Sequence, residues 1–177
     1  MKGLFFARLA LLLSLAVTMF LLTACDTGDV TGTTNTPTPP PVQSVSEFEF
    51  RVFELTNEER EKHGLRPLIW DNGLAAVARA HSEDLARNNI FGHVGSDGYV
   101  VGARLARANI HPFGWAENVS GGRSTPEATV EGWMSSQNHR DNILSETQTH
   151  LGVGFAYLDN TRFRYYATQL FVIFPPR

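Results

Sequence analysis

Apolar residues change their spacing several times along the chain, and each change marks an element. From about Ser46 the spacing is helical: Phe50 and Phe53, flanked by Val52 and Leu55, lead into Asn57 and Arg60, with Gly64 as the stop. A short apolar link, Leu68-Ile69-Trp70, precedes Asp71 or Asn72 as the cap of a second helix, whose stripe is Leu74, Val77, Ala78, His81 and Leu85. A third, shorter helix is expected over Tyr99 to Arg107, turning Val101, Leu105 and Ala108 inward. A fourth is announced by Ser124-Thr125-Pro126-Glu127, either as a Ser124/Glu127 capping box or with Thr125 as cap and Pro126 in the first turn; it carries Val130, Trp133 and Met134. Two β-branched and aromatic segments, Leu151 to Tyr157 and Phe163 to Phe174, then flank a polar turn at 158–162, which is a hairpin pattern. Helices followed by a terminal antiparallel hairpin predict an α+β class in which helices cover a sheet.

The first residues follow a different logic. Lys2 and Arg8 give a positive start, Leu9 to Leu22 is uncharged and apolar but short for a membrane span, and Leu22-Thr23-Ala24 places small residues before Cys25. Leu22-Thr23-Ala24-Cys25 resembles a bacterial lipobox, in which the cysteine becomes an acylated N-terminus; the plain alternative is a cleaved signal followed by a chance cysteine. A buried methylene contributes about 0.8 kcal/mol and a single chain holds only marginally, so firm attachment implies more than one chain. Asp26 resembles an inner-membrane retention signal of enteric bacteria, and which membrane is involved stays open. Residues 26–44 contain Thr-Gly-Thr-Thr-Asn-Thr-Pro-Thr-Pro-Pro-Pro with little to bury, and read as an extended tether. The expected organisation is a lipoprotein signal at 1–24, a lipidated cysteine and Pro/Thr-rich linker at 25–44, and one globular domain at 45–177.

Composition narrows the classes. Forty-two per cent of the 177 residues are hydrophobic and 19% charged, which suits one core. The net charge is −3, and losing a leader with Lys2 and Arg8 makes the balance more acidic, so a nucleic-acid partner is not expected. Cys25 is the sole cysteine, which excludes an intrachain disulfide.

Of six histidines, two stand in suggestive places. His93 lies in the Gly-rich loop Phe91-Gly92-His93-Val94-Gly95-Ser96-Asp97-Gly98, and His139 follows the fourth helix in Trp133-Met134-Ser135-Ser136-Gln137-Asn138-His139-Arg140-Asp141-Asn142-Ile143-Leu144. Between them Glu117 sits in the strand-like Trp115-Ala116-Glu117-Asn118-Val119, where an acid among apolar residues needs a partner. His81, on the apolar stripe of the second helix, reads as a core histidine, His150 as a strand-edge residue, and His63 and His111 as surface or turn residues. Asn57, Arg60 and Asn118 read as satisfying buried backbone groups. Trp70, Trp115 and Trp133 read as core. Ser136 has no base with an orienting third group, so a Ser/His/Asp hydrolase is not expected.

In order along the chain, Asn57-Glu58-Glu59-Arg60 with Gly64-Leu65-Arg66-Pro67-Leu68, Phe91-Gly92-His93, Ala116-Glu117-Asn118, Trp133 to Leu144, and Gly152-Val153-Gly154 resemble the CAP superfamily: cysteine-rich secretory proteins, antigen 5 and pathogenesis-related 1 proteins. The resemblance spans residues 48–174 and is to the bacterial branch. It implies a three-layer α/β/α sandwich with the hairpin at the C-terminus, and a cleft lined by two histidines and two acids. His93 and His139 match the histidines and Glu117 the first acid. The second acid, three residues after the helix tryptophan, is here Ser136, and Glu131 is on the wrong helical face to replace it. The resemblance therefore implies a non-enzymatic module binding a lipid, glycan or envelope protein through the His93, Glu117 and His139 cleft, lipid-anchored on the extracytoplasmic side of the cell membrane. The alternative is a metal-assisted hydrolase or peptidase, with Zn²⁺ held by His93 and His139 and Glu117 as ligand or general base.

Overall fold

The computed structural model describes residues 44–175. The expected signal, Cys25 and most of the linker lie outside these residues. Among the described residues, no helix is long and apolar enough to cross a membrane.

Helix α1 (Val45–Lys62) begins with a reciprocal cap that the spacing alone missed. The Ser44 side chain accepts from Glu47 N, and the Glu47 carboxylate accepts from Ser44 N at 2.9 Å. Gly64 closes the helix in the left-handed region, φ +71°. The buried stripe is Phe48, Val52, Thr56 and Arg60, spaced by fours, whereas Phe50 is half exposed. Phe50 and Phe53 form an aromatic cluster with Trp70 at the edge of this layer. Strand β1 (Ile69–Trp70) is the short apolar link, drawn into the sheet by pairing with a later segment.

Helix α2 (Asn72–Arg87) is capped by Asp71, whose side chain accepts from Leu74 N at 2.8 Å, and its expected stripe is buried throughout. Helix α3 (Val101–Arg107) is shorter than expected and buries Leu105, while Ala108 is exposed just past its end. Strand β2 (Gly114–Gly121) follows, then helix α4 (Pro126–Met134) with Thr125 as cap and Pro126 in its first turn. Helix α5 (Gln137–Ile143) was not anticipated: its residues are mostly polar and only Ile143 is buried, so no apolar stripe advertises it. His139 therefore lies within a helix rather than on a loop. Strands β3 (His150–Tyr157) and β4 (Tyr165–Ile173) form the expected hairpin.

The strand order is β1-β3-β4-β2, with β1 parallel to β3 and the other pairs antiparallel. Alternation along the central strands sends residues to two helical layers. Leu151, Val153, Phe155 and Phe171 pack with Phe48, Val52, Val130, Trp133 and Ile143 of α1, α4 and α5. Leu170 and Val172 pack with Leu74, Val77, Ala78 and Leu105 of α2 and α3. The result is the three-layer α/β/α sandwich. The α2 backbone lies directly on β3 at Gly152 and Gly154: a Cβ at either would come within 2.2 Å or 2.0 Å of the Ala75 or Arg79 amide nitrogen. Glycine is required there for close approach.

Candidate functional site

Strand β2 lies at the end of the sheet order, paired only with β4, and sets the site through two adjacent residues. Glu117 pairs in register with Leu170 and faces α2 and α3; Asn118 pairs with Gln169 and faces the opposite layer. Both are buried.

On the first side, the loop after α2 is shaped by Asn89 and Gly92, both at positive φ, and is tied back to α2. Asp84 accepts from Ser96 N and Ser96 Oγ, at 2.7 and 2.5 Å, and His81 Nε2 meets Gly92 O at 3.0 Å. His93 extends from this loop to within 2.9 Å of Glu117 Oε1 through Nδ1. The other carboxylate oxygen pairs with Arg104 of α3, whose side chain is 11% exposed. Arg104 Nη1 also donates to His81 Nδ1 at 2.8 Å and to His93 O at 3.1 Å.

This chain of contacts fixes protonation. A guanidinium only donates, so His81 Nδ1 must accept, which leaves the proton on Nε2 for Gly92 O and keeps the ring neutral. Burial lowers the His81 pKa, and the neighbouring Arg104 charge acts in the same sense. His93 is shifted the other way: its hydrogen bond to Glu117 raises the pKa above 6.5 against a smaller opposing effect of burial. With Nδ1–H on Glu117, Nε2 is the ring nitrogen of His93 left for a ligand, and the side chain is 57% exposed.

On the second side the contacts are neutral. Asn118 Nδ2 donates to His139 O (3.1 Å) and Gln169 Oε1 (3.0 Å), and Asn118 Oδ1 accepts from Asn142 Nδ2 at 2.8 Å. Gln169 Nε2 donates to Thr56 Oγ1, and Thr56 Oγ1 donates to Val52 O, so the network runs from α1 through two strands to α5. Asn142 also reaches Glu117 O at 3.4 Å. His139 is held through its backbone, and its half-buried ring has a pKa lowered by burial, then by the charge on His93 and by Arg123.

The three sequence-selected residues are thus linked around one stretch of β2: His93 and Glu117 touch, and His139 is fastened to the neighbour of Glu117. Asn57, Arg60 and Asn118 each satisfy backbone groups: Asn57 brackets Leu68, and Arg60 donates to the carbonyls of Arg66, Ile143 and Ser145. His150 packs on Phe174 at the β1 side of the sheet, and His63 and His111 are exposed. Trp115, expected in the core, is 51% exposed and lies over Gly102. The sequence reading missed Arg104 and treated His81 as separate from the site. The signal available was the need of Glu117 for a partner, with Arg104 thirteen positions upstream.

The residues present do not fit the zinc set that the resemblance suggested. Both Glu117 oxygens already accept, one of them from a guanidinium that would repel a dication. Among the described residues, no group of three or more His, Cys, Asp or Glu is arranged to hold a metal. Ser136, at the cap position of α5, makes no side-chain capping bond.

A model of the cysteine-rich secretory protein family, CAP, matches residues 53–171. The Bacillus subtilis protein YkwD is 43% identical over 122 residues, covering 69% of this chain and 47% of YkwD. The membrane protein YlbC of the same organism is 38% identical over 131 residues, covering 74% of this chain and 35% of YlbC. Among solved structures, an extracellular protein containing an SCP domain from Bacillus anthracis superposes with a TM-score of 0.65 at 35% identity, over 72% of this chain and 41% of that one. The chain spans less than half the length of each of these relatives.

Proposed function

The chain belongs to the cysteine-rich secretory protein (CAP) family, and from that premise we propose that it is a cell-envelope binding module, tethered through a lipidated Cys25, whose His93, Glu117 and His139 cleft holds a lipid, glycan or protein partner without turning it over. The observation that carries this reading is the state of Glu117. Its two oxygens are occupied by His93 and Arg104, so the only acid of the cleft is a fixed structural anion and not a free base. What remains for a ligand is the outer nitrogen of an exposed, carboxylate-oriented His93 and the ring of His139. Such a pair can donate and accept hydrogen bonds from fixed positions, which suits recognition. The hydrolase alternative needs a free base or a third metal ligand, and the donor set supplies neither. A surface location agrees with the extracellular relative in Bacillus anthracis and the membrane relative in Bacillus subtilis.

The test is retention. Full chain incubated with envelope lipid, glycan and protein fractions, then recovered and read by mass spectrometry, is expected to keep a defined component that the His93→Ala/His139→Ala double variant loses. Equal retention by both proteins, or none by either, rejects the reading. Attachment is tested separately with a fatty-acid analogue, whose incorporation is expected in the wild-type chain and absent in Cys25→Ala.

A further inference from the structure

Three nitrogen-bearing side chains are fastened to one short length of β2. Glu117 holds the His93 ring, Asn118 holds the His139 carbonyl, and Ser120 Oγ accepts from Arg123 Nη1 at 3.3 Å. At about 3.3 Å of rise per residue, Glu117 to Ser120 spans only about 10 Å, and Asn118 and Ser120, two positions apart, share a face of the strand. The His139 ring feels the charges of both His93 and Arg123, an effect that falls off with distance.

Arg123 is seated by a missing side chain. Its guanidinium occupies the space over Gly132 of α4, where a Cβ would collide with Nε, Cζ and Nη2. The residue is nevertheless exposed, and among the described residues it forms no ion pair, not even with Glu131, next to Gly132 in sequence. The charge balance is therefore positive. The Glu117 carboxylate is matched by Arg104, and Ser136 stands where the family resemblance led to the expectation of a second acid. Arg123 and a His93 that its carboxylate partner favours in the protonated form are left without a further anion. Open donors complete the picture: His93 Nε2 lies on a side chain that is 57% exposed, and the His139 ring nitrogens have no hydrogen-bond partner among the described residues. Phe91 and Phe163, whose rings sit against Gly121 at the far end of β2, add an apolar flank, and Phe91 is 48% exposed.

We propose that His93 Nε2, the His139 ring and the Arg123 guanidinium together bind the phosphate of a phosphate ester, with Gly132 admitting the arginine. Three donors from separate elements match the several oxygens of a phosphate better than the two of a carboxylate. This names the ligand chemistry of the cleft proposed above and rests on that reading. Lipid headgroups and soluble esters share the group, and the probes separate them.

Binding is read from the ring resonances of His93 and His139 in full chain titrated with glycerophosphoglycerol, a soluble phosphodiester, at constant ionic strength. Saturable shifts at both rings are expected, with acetate binding about tenfold more weakly. Arg123→Gln should weaken the phosphodiester about tenfold. Gly132→Ala keeps every charge but displaces the guanidinium, and should weaken it by a smaller factor. Lys62→Gln, the same charge change at the end of α1, should leave binding as it is. Dihexanoyl phosphatidylglycerol, kept monomeric, carries the same phosphodiester on two short chains: tighter binding than the soluble ester assigns a lipid, and equal or weaker binding assigns a soluble ester. No saturable shift with glycerophosphoglycerol, acetate binding as tightly, Gly132→Ala binding like the wild type, or Arg123→Gln acting no more than Lys62→Gln would each overturn the proposal. If envelope components are then still retained through His93 and His139, the binding reading stands and only the phosphate assignment falls.

Discussion

Glu117 and Asn118 are neighbours on β2, point into opposite layers of the sandwich, and each anchors a histidine, but with different chemistry. Glu117 holds His93 by its ring, through a charge that Arg104 balances from behind. Asn118 holds His139 by its backbone, through neutral amide bonds that continue to Thr56 on α1. The charged side ties the protonation of His93 to the carboxylate and raises its pKa, while the ring of His139 answers first to burial and moves down. The two imidazoles are thereby given opposite preferences for a proton. The difference arises from which atom each strand residue grips: a bond to a titrating ring couples position to charge, and a bond to a carbonyl fixes position alone.

The sharpest way to break the charged side is Glu117→Ala. It leaves Arg104 buried without its counter-ion, and a stability loss of about 3–5 kcal/mol is expected in urea unfolding; a loss under 1 kcal/mol would mean that Arg104 finds water instead. Asn118→Ala removes the neutral counterpart and strands Gln169 and the His139 carbonyl. The expected loss is smaller, about 1–3 kcal/mol, accompanied by altered His139 resonances but an unaltered His93 pKa. His93→Ala should have little effect on stability, less than about 1 kcal/mol, because Glu117 keeps Arg104 and the lost contact is largely exposed. The subtlest effect is in pH dependence. A raised native pKa makes the His93 contribution full below 6.5 and lost as pH climbs through the native value. The lowered values of His81 and His139 give contributions present above 6.5 and lost as pH falls through their native pKa values. Unfolding measured across pH should therefore show a decline on the alkaline side of 6.5 that disappears in His93→Ala, and a decline on the acid side that persists. Persistence of both would detach His93 from Glu117.

The elements with strong local signatures were legible in the sequence. Asp71 before the stripe of α2, Thr125-Pro126 at α4, and the paired aromatic segments of the hairpin specify caps and periods within a few residues. The family-like fragments located His93, Glu117 and His139. Features without a local period were not legible. Helix α5 has one buried residue, β1 exists because β3 lies beside it, and the helical spacing of Phe50 and Phe53 did not show that Phe48 and Val52 would be the buried ones.

The sequence by itself determined which side chains were available: an acid on an apolar strand, histidines after helices, and a serine where the family resemblance led to the expectation of a second acid. Only the tertiary structure decided that the acid would be paired with Arg104 and that His81 would accept from the same guanidinium. Caps and periodicity act over a turn of chain and can be read from neighbours. A buried charge is balanced by whatever opposite charge the packed layers bring to it through space, and sequence distance carries no record of that meeting.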